Sequence, residues 1–183
     1  MMTKNEVIRA ANKFCTQYNI HDYPVKIVDI CEANGIKVFE EFLPTNVSGF
    51  IISRNNDSEE HSSDELFDKY NSDHVIVVNR FDSASRRRFT IAHELAHFVL
   101  HRRNAEDLYA HRDAGQSGGI ESEANIFASN ILMPEELVDE ALSLLEDSYP
   151  GYISLTDKAI HISNEFAVSV EAARVRLDQL RIS

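Results

Sequence analysis

The sequence is short of positive charge, of cysteine and of long apolar runs, and each shortage excludes a class of protein. Eighteen Lys and Arg residues stand against 30 Asp and Glu, which gives a net charge of −12 over 183 residues. Such a surface repels nucleic-acid phosphates and anionic lipid heads. No apolar run is long enough to span a bilayer, and the N-terminus carries no signal-peptide pattern. We therefore expect a soluble protein with no membrane partner and no direct nucleic-acid partner.

The two cysteines, Cys15 and Cys31, form no CxxC pattern. Their apolar surroundings indicate two reduced thiols more than a disulfide framework. We expect a cytoplasmic protein.

The pattern of apolar residues predicts an α+β fold. A chain that is 43% hydrophobic has ordinary globular composition. The spacing predicts two N-terminal helices, the second opened by Pro24 as a first-turn proline. Three short strands, expected in a small antiparallel sheet, follow at residues 36–42, 47–53 and 74–79. Further helices are expected at residues 85–103, 120–132, 134–147, 155–166 and 170–182.

We divide the chain into residues 1–147 and a C-terminal helical extension, residues 148–183, packed on the same domain. The first part contains an inserted acidic loop at residues 54–73, with seven acidic residues against Arg54 and Lys69. Such a polar stretch buries too little surface to order itself, so a solvated loop is the simplest interpretation.

The most informative motif is HELAH at residues 93–97, within the predicted helix 85–103. His93 and His97 project from one helical face about 40° apart, close enough to share a metal ion. Glu94, about 100° round, could reach a water at that metal. The opposite face of the helix is apolar and predicts a core contact: Ile91, Leu95 and Phe98. Two histidines satisfied by core hydrogen bonds are the alternative, but they would crowd polar groups into an apolar helix without partners.

A catalytic zinc needs a third protein ligand and one open position. The metzincin pattern is excluded, because Arg103 stands where its third histidine would be. Glu121 and Asn125 lie one helical turn apart on a shared face. Glu121 would bind the metal, and Asn125 would accept the far ring proton of a ligand histidine. Two alternatives stay open: Glu123 is the ligand, or Glu121 only complements the helix dipole.

His101 is a poor direct ligand, because eight helical residues place it about 12 Å along the axis from His93. We expect it to line the cleft. Together with Tyr109 and His111, it is a candidate for stabilising the oxyanion of a hydrolytic reaction. The predicted strand 47–53 is the candidate edge for holding a peptide as an additional strand.

Several of these segments together resemble the ImmA/IrrE family of bacterial and phage metallopeptidases. The resemblance rests on RFTIAHELAH at 88–97, ESEANIFA at 121–128 and LMP at 132–134, with weaker upstream similarity, and it covers roughly residues 24–135. The acidic loop is longer than this family leads us to expect.

The resemblance implies a minimal zincin fold, with a small sheet beside the active-site helix. It implies a gluzincin-like ligand set of His93, His97 and Glu121 around one Zn²⁺, with Glu94 as the general base. It also implies a protein substrate, a helix-turn-helix transcriptional repressor, whose cleavage switches on a mobile element, prophage or stress response. The residue types themselves would suit other divalent ions almost as well.

Two other functions remain open. Residues 166–177 read like the turn and second helix of a DNA-binding helix-turn-helix unit, although Glu171 would then face phosphates. A metal-dependent interaction protein without catalysis is the other alternative. Residues 80–103 carry a local charge of +4, from six basic residues against Asp82 and Glu94. This flank would suit a protein substrate with acidic segments.

Overall fold

The computed structural model describes residues 1–53, 68–101 and 117–182, and it confirms the predicted α+β fold with a small sheet beside the HELAH helix. The strands are β1 (Lys37–Glu41), β2 (Gly49–Ser53) and β3 (His74–Asn79). The helices before and beside the sheet are α1 (Lys4–Gln17), α2 (Ile27–Ala33) and α3 (Ala84–His101). The later helices are α4 (Ser117–Leu132), α5 (Glu135–Ser148), α6 (Leu155–Phe166) and α7 (Val170–Gln179).

The sheet is mixed, so the prediction of a purely antiparallel sheet is wrong. Its strand order is β1-β3-β2, with β3 parallel to β1 and antiparallel to β2. β1 and β2 run in opposite directions, and β3 enters between them. A strand in that position is necessarily parallel to one neighbour.

Asn79, at the end of β3, holds the link between β1 and β2. Its amide nitrogen donates to the carbonyls of Leu43, Pro44 and Val47 at 3.2, 3.2 and 2.8 Å. The side chain is 2% exposed. One buried amide thus satisfies backbone groups that the sheet itself leaves unpaired.

The central strand β3 is covered on both faces, as its continuous apolar sequence requires. Val75 and Val77 face a small cluster that includes Ile52 and Tyr70, whereas Ile76 and Val78 join the main core. The main core also receives the apolar face of α3, so the sheet supports the helix that carries both histidines.

Gly49 allows β2 to approach α3 closely. A Cβ atom at this position would lie 2.6 Å from Thr90 Cγ2 and 2.6 Å from the Val77 carbonyl oxygen. Thr90 stands one turn before His93 on α3. The absence of a side chain at Gly49 therefore helps set the distance between the edge strand and the histidine-bearing helix.

Helix α4 packs along α3 and α1. Fully buried alanines stand on both α3 and α4, and such small residues permit a short distance between helix axes: Ala92, Ala96, Ala124 and Ala128. Phe127 of α4 meets Phe14 of α1 edge to face, with ring centroids 5.4 Å apart. α4 begins at Ser117, three residues before the predicted start, so Glu121 lies in its second turn.

The C-terminal helices share the main core, which includes Ala159, Ile162 and Phe166 of α6 and Ala173 and Leu177 of α7. The division of the chain between residues 147 and 148 stays a prediction.

Near the N-terminus, α2 begins at Ile27, and Pro24 precedes it in a cis peptide bond, so the prediction that Pro24 opens this helix is wrong. Cys15 and Cys31 are both free thiols. Burial raises the pKa of Cys15 to about 11 and that of Cys31 to about 12. Within the described ranges, no helix has the length and apolarity needed to cross a membrane.

Candidate metal centre

Two neighbouring helices bring three potential ligands together. His93 and His97 stand one turn apart on α3, and their Nε2 atoms are 3.1 Å apart. Glu121 of α4 places Oε2 3.1 Å from His93 Nε2 and Oε1 3.4 Å from His97 Nε2. In the parts of the chain that the structure describes, this is the one group of at least three such side chains whose ligand atoms all lie within 4.8 Å of one another.

The separations fit a tetrahedral metal ion. Imidazole nitrogens and carboxylate oxygens bind zinc at about 2.0–2.2 Å, so two ligand atoms of a tetrahedral site lie about 3.3–3.6 Å apart. The observed separations of 3.1–3.4 Å are close to these values. The two imidazoles and the carboxylate also form a donor set that suits zinc and other borderline divalent ions.

Asn125 orients the first histidine. Its Oδ1 lies 3.0 Å from His93 Nδ1. An amide oxygen can only accept, so the proton stands on Nδ1 and the Nε2 lone pair of a neutral ring faces Glu121 and His97. The Nε2 lone pair of His93 and the Glu121 carboxylate then face the same point as His97 Nε2, which favours a cation there.

Electrostatics around the group agree with this geometry. Burial acts to lower the pKa of His93, but the hydrogen-bonding contact with Glu121 and the negative charges of Glu94 and Glu121 outweigh it, so the pKa is raised. The contacts with His93 and His97 hold the pKa of Glu121 well below its usual range. The cluster therefore attracts positive charge. Glu94 itself is buried on α3, with 6% of its surface exposed.

Glu123, the alternative ligand, is turned away from this group. Its Oε1 accepts a hydrogen bond from the Met2 backbone nitrogen at 2.6 Å, and its Oε2 lies 3.5 Å from His101 Nε2. The position of Glu121 in the second turn also weakens the interpretation of that residue as a helix-dipole acid, because this effect is confined to the first turn.

His101 lies against Glu123, with a side chain that is 14% exposed. Burial lowers its pKa, and the nearby His97 lowers it further. The cleft-lining role of His101 stays a prediction. The other two oxyanion candidates, Tyr109 and His111, lie outside the described residues, as do Arg103 and residues 54–67 of the acidic loop.

Sequence reasoning missed the residues that continue the site along the two helices. A cleft runs on from Glu121 and Asn125 and is lined further by Phe89 and Ile126. A signal was available for Phe89, which precedes His93 by four residues and so lies on the same helical face. No local signal indicated that the Met2 backbone would contact Glu123.

Comparison with known proteins identifies related sequences. The family model described as the IrrE N-terminal-like domain matches residues 31–178, most of the chain. A radiation response metalloprotease, IrrE, of Deinococcus deserti is 36% identical over 75 residues, which cover 38% of this chain and 26% of that protein. The metallopeptidase ImmA of Bacillus subtilis is 28% identical over 79 residues, which cover 43% of this chain and 46% of that protein.

A solved structure shares the fold. A chain described as a Mycobacterium tuberculosis transcriptional regulator superposes with a TM-score of 0.58 at 18% identity, over 95% of this chain and 46% of that one. The matched regions thus span about a quarter to a half of the length of each of these proteins.

Proposed function

Because the chain belongs to the family of the IrrE N-terminal-like domain, we propose that it is a zinc-dependent endopeptidase that hydrolyses a peptide bond in a protein substrate. The observation that carries this proposal is the convergence of His93, His97 and Glu121, with the acid Glu94 next to the first histidine. Two histidines, a third ligand and an adjacent general base are the parts that a hydrolytic metal site needs.

In this proposal, His93, His97 and Glu121 hold the zinc ion. When bound, zinc supplies Lewis acidity that polarises a scissile carbonyl and acidifies water. Asn125 fixes the orientation of the His93 ring, so that its Nε2 atom stays directed into the site.

Glu94 acts as the general base. It takes a proton from the water whose oxygen attacks the carbonyl carbon, and it delivers that proton to the amine that leaves when the C–N bond breaks. No covalent bond between enzyme and substrate forms. General acid–base catalysis of this kind contributes about 10²–10⁴-fold to a rate.

The edge strand β2 would hold the substrate. Among the described residues it is an outer strand of the sheet, and it packs on α3, with Gly49 close to Thr90. An outer strand of a sheet can accept an extended peptide through backbone hydrogen bonds. This role fits the requirement that the scissile bond be held still next to the catalytic groups.

For the natural substrate, we propose a helix-turn-helix transcriptional repressor of a mobile element, a prophage or a stress regulon. This substrate class follows from the resemblance to the ImmA/IrrE family. Such a substrate places the enzyme in the cytoplasm, and the free thiols of Cys15 and Cys31 are compatible with that compartment.

Co-expression with a repressor encoded next to this gene tests the proposal. The parent protein should yield repressor fragments that mass spectrometry assigns to a single cleavage site. Glu94→Gln keeps the ligands but removes the base, so we expect it to retain zinc and to lower the cleavage rate by about 10²–10⁴-fold.

The matched control is Glu140→Gln, which removes one exposed carboxylate from α5. It should cleave like the parent. Cleavage by Glu94→Gln at the parent rate would contradict the role of Glu94. Retained zinc and tight repressor binding without any cleavage by the parent would instead favour a metal-dependent interaction protein.

A further inference from the structure

A groove lies beside the candidate metal centre and is also bordered by residues of the C-terminal helix α7. Its volume is about 760 Å³, within the range of cavities that bind ligands. Its lining includes Glu121 and Asn125 of the candidate metal centre as well as Val168 and Val175. The groove is therefore continuous with the site proposed to carry the reaction.

Most of the surface that lines the groove is apolar, although several serines also contribute to it. Phe89 of α3, Ile126 of α4, and Ala172 and Val175 of α7 contribute apolar surface to the lining. The Phe89 ring centroid lies 6.4 Å from that of His93. An apolar side chain placed in the groove would thus lie next to a metal ligand.

Helix α7 is fixed in place by its other face. Ala173 and Leu177 are fully buried, and Arg176, 3% exposed, donates from Nε to the Met133 carbonyl oxygen at 2.9 Å. This anchoring turns Ala172 and Val175 toward the groove. Arg176 is consequently unavailable to a phosphate backbone, although the sequence places it in the helix-turn-helix-like segment.

We infer that this groove binds the polypeptide segment beside the scissile bond and selects a substrate with an apolar residue there, with Val175 as a specificity-determining residue. The inference rests on the proposed peptidase function. Its support is the continuity of the groove with Glu121 and Asn125 and the apolar character of its walls.

The charges of the groove also favour a polypeptide over a nucleic acid. Glu121 and Glu171 contribute two carboxylates to its lining. The basic group in the lining is Arg86, whose guanidinium already donates to Ser48 Oγ at 3.0 Å. A polyanion would meet repulsion along this path.

Val175→Trp tests the inference by filling the groove from α7. Val170→Trp is the matched control, since Val170 is similarly exposed on the same helix, 44% against 46%, and is not among the residues that line the groove. Both variants are compared with the parent as zinc-loaded full chains, after zinc content and thermal unfolding establish that they are folded and loaded.

The probe is a library of peptides from a digested bacterial proteome, with cleavage sites read by mass spectrometry. The parent should cleave next to apolar residues at one fixed position relative to the scissile bond. Val175→Trp should lower kcat/KM for those peptides at least about tenfold, mainly through KM, because a filled apolar pocket discriminates on this scale. Val170→Trp should match the parent. Equal cleavage by Val175→Trp, or no apolar preference in the parent, would overturn the inference.

A binding measurement separates failure of the groove from failure of the peptidase. Zinc-loaded Glu94→Gln is tested for binding to the same peptides, with and without Val175→Trp. If the parent cleaves no peptide, the peptidase proposal fails in this assay. The groove inference is still supported if Glu94→Gln binds apolar peptides selectively and Val175→Trp abolishes that binding. If the parent cleaves but this binding shows no apolar selectivity, the groove inference is wrong and the peptidase proposal stands.

Discussion

The hydrogen bond between His93 and Asn125 sets which ring nitrogen of His93 faces the candidate metal centre. Asn125 accepts from Nδ1, and this leaves Nε2 as the atom directed at Glu121 and His97. Without that acceptor, the ring could adopt the other tautomer or rotate.

Asn125→Ala should weaken zinc binding by about 10–100-fold, the usual effect of removing a partner of a ligand histidine. Competition with a chromophoric zinc indicator measures the affinity. Asn125→Asp, which keeps an oxygen acceptor, should retain most of it. Equal affinity in Asn125→Ala and the parent would show that the hydrogen bond does not orient the ring.

At this scale, the sequence predicts which side chains of the candidate centre come together, but not the contacts that surround them. The spacing of His93 and His97, and of Glu121 and Asn125, follows from helix periodicity alone, and the structure places these side chains within contact distance. The contacts of Glu123 with Met2 and His101 join segments far apart in the chain. Such contacts depend on tertiary packing, which no local pattern encodes.

Among the secondary-structure elements, the contact between β2 and α3 determines where the histidine helix lies. Gly49 has no side chain, and a Cβ atom at this position would collide with Thr90 and with the Val77 carbonyl oxygen. Because a backbone oxygen cannot be moved by a rotamer change, the strand or the helix would have to shift to accept a Cβ atom.

Gly49→Ala should therefore lower the free energy of unfolding by about 1–3 kcal/mol, the typical cost of overpacking. Gly118→Ala in α4 is the control. A Cβ there meets nothing within 4 Å, and alanine favours a helix over glycine by up to about 1 kcal/mol. Urea denaturation measures both values. A Gly49→Ala variant as stable as the parent would show that the contact is looser than described.

The elements themselves were largely predictable, and their pairing was not. The predicted strand at residues 74–79 has the observed bounds, because a central strand buried on both faces reads as a continuous apolar run. The parallel pairing of β1 with β3 arises because β3 lies between β1 and β2, the two strands that precede it in the chain. The predicted start of α4 is three residues too late, because Gly118 and Gly119 have low helix propensity and do not indicate a helix from sequence.

The net charge of the whole molecule describes only in part the surface around the candidate metal centre. The sequence predicts a positive flank around the histidine helix, but at least three of its arginines have partners within the protein. Arg86 donates to Ser48 Oγ at 3.0 Å. Arg87 pairs with Glu40 at 3.0 Å, and Arg88 donates to the Val25 carbonyl oxygen at 2.9 Å. Counting charges along a helix cannot show which of them face inward. The apolar groove, rather than a positive flank, then becomes the better guide to substrate preference.

We propose above all that peptide hydrolysis by this protein depends on one metal ion held by His93, His97 and Glu121. The most direct measurement titrates zinc into the metal-free protein and follows the cleavage rate of the repressor identified by co-expression. We predict no cleavage without metal and a rate that rises to a plateau at one zinc per chain. Cleavage at the full rate by the metal-free protein would contradict this dependence on metal. So would a Glu121→Ala variant whose cleavage rate reaches the same plateau value at the same zinc concentration as the parent.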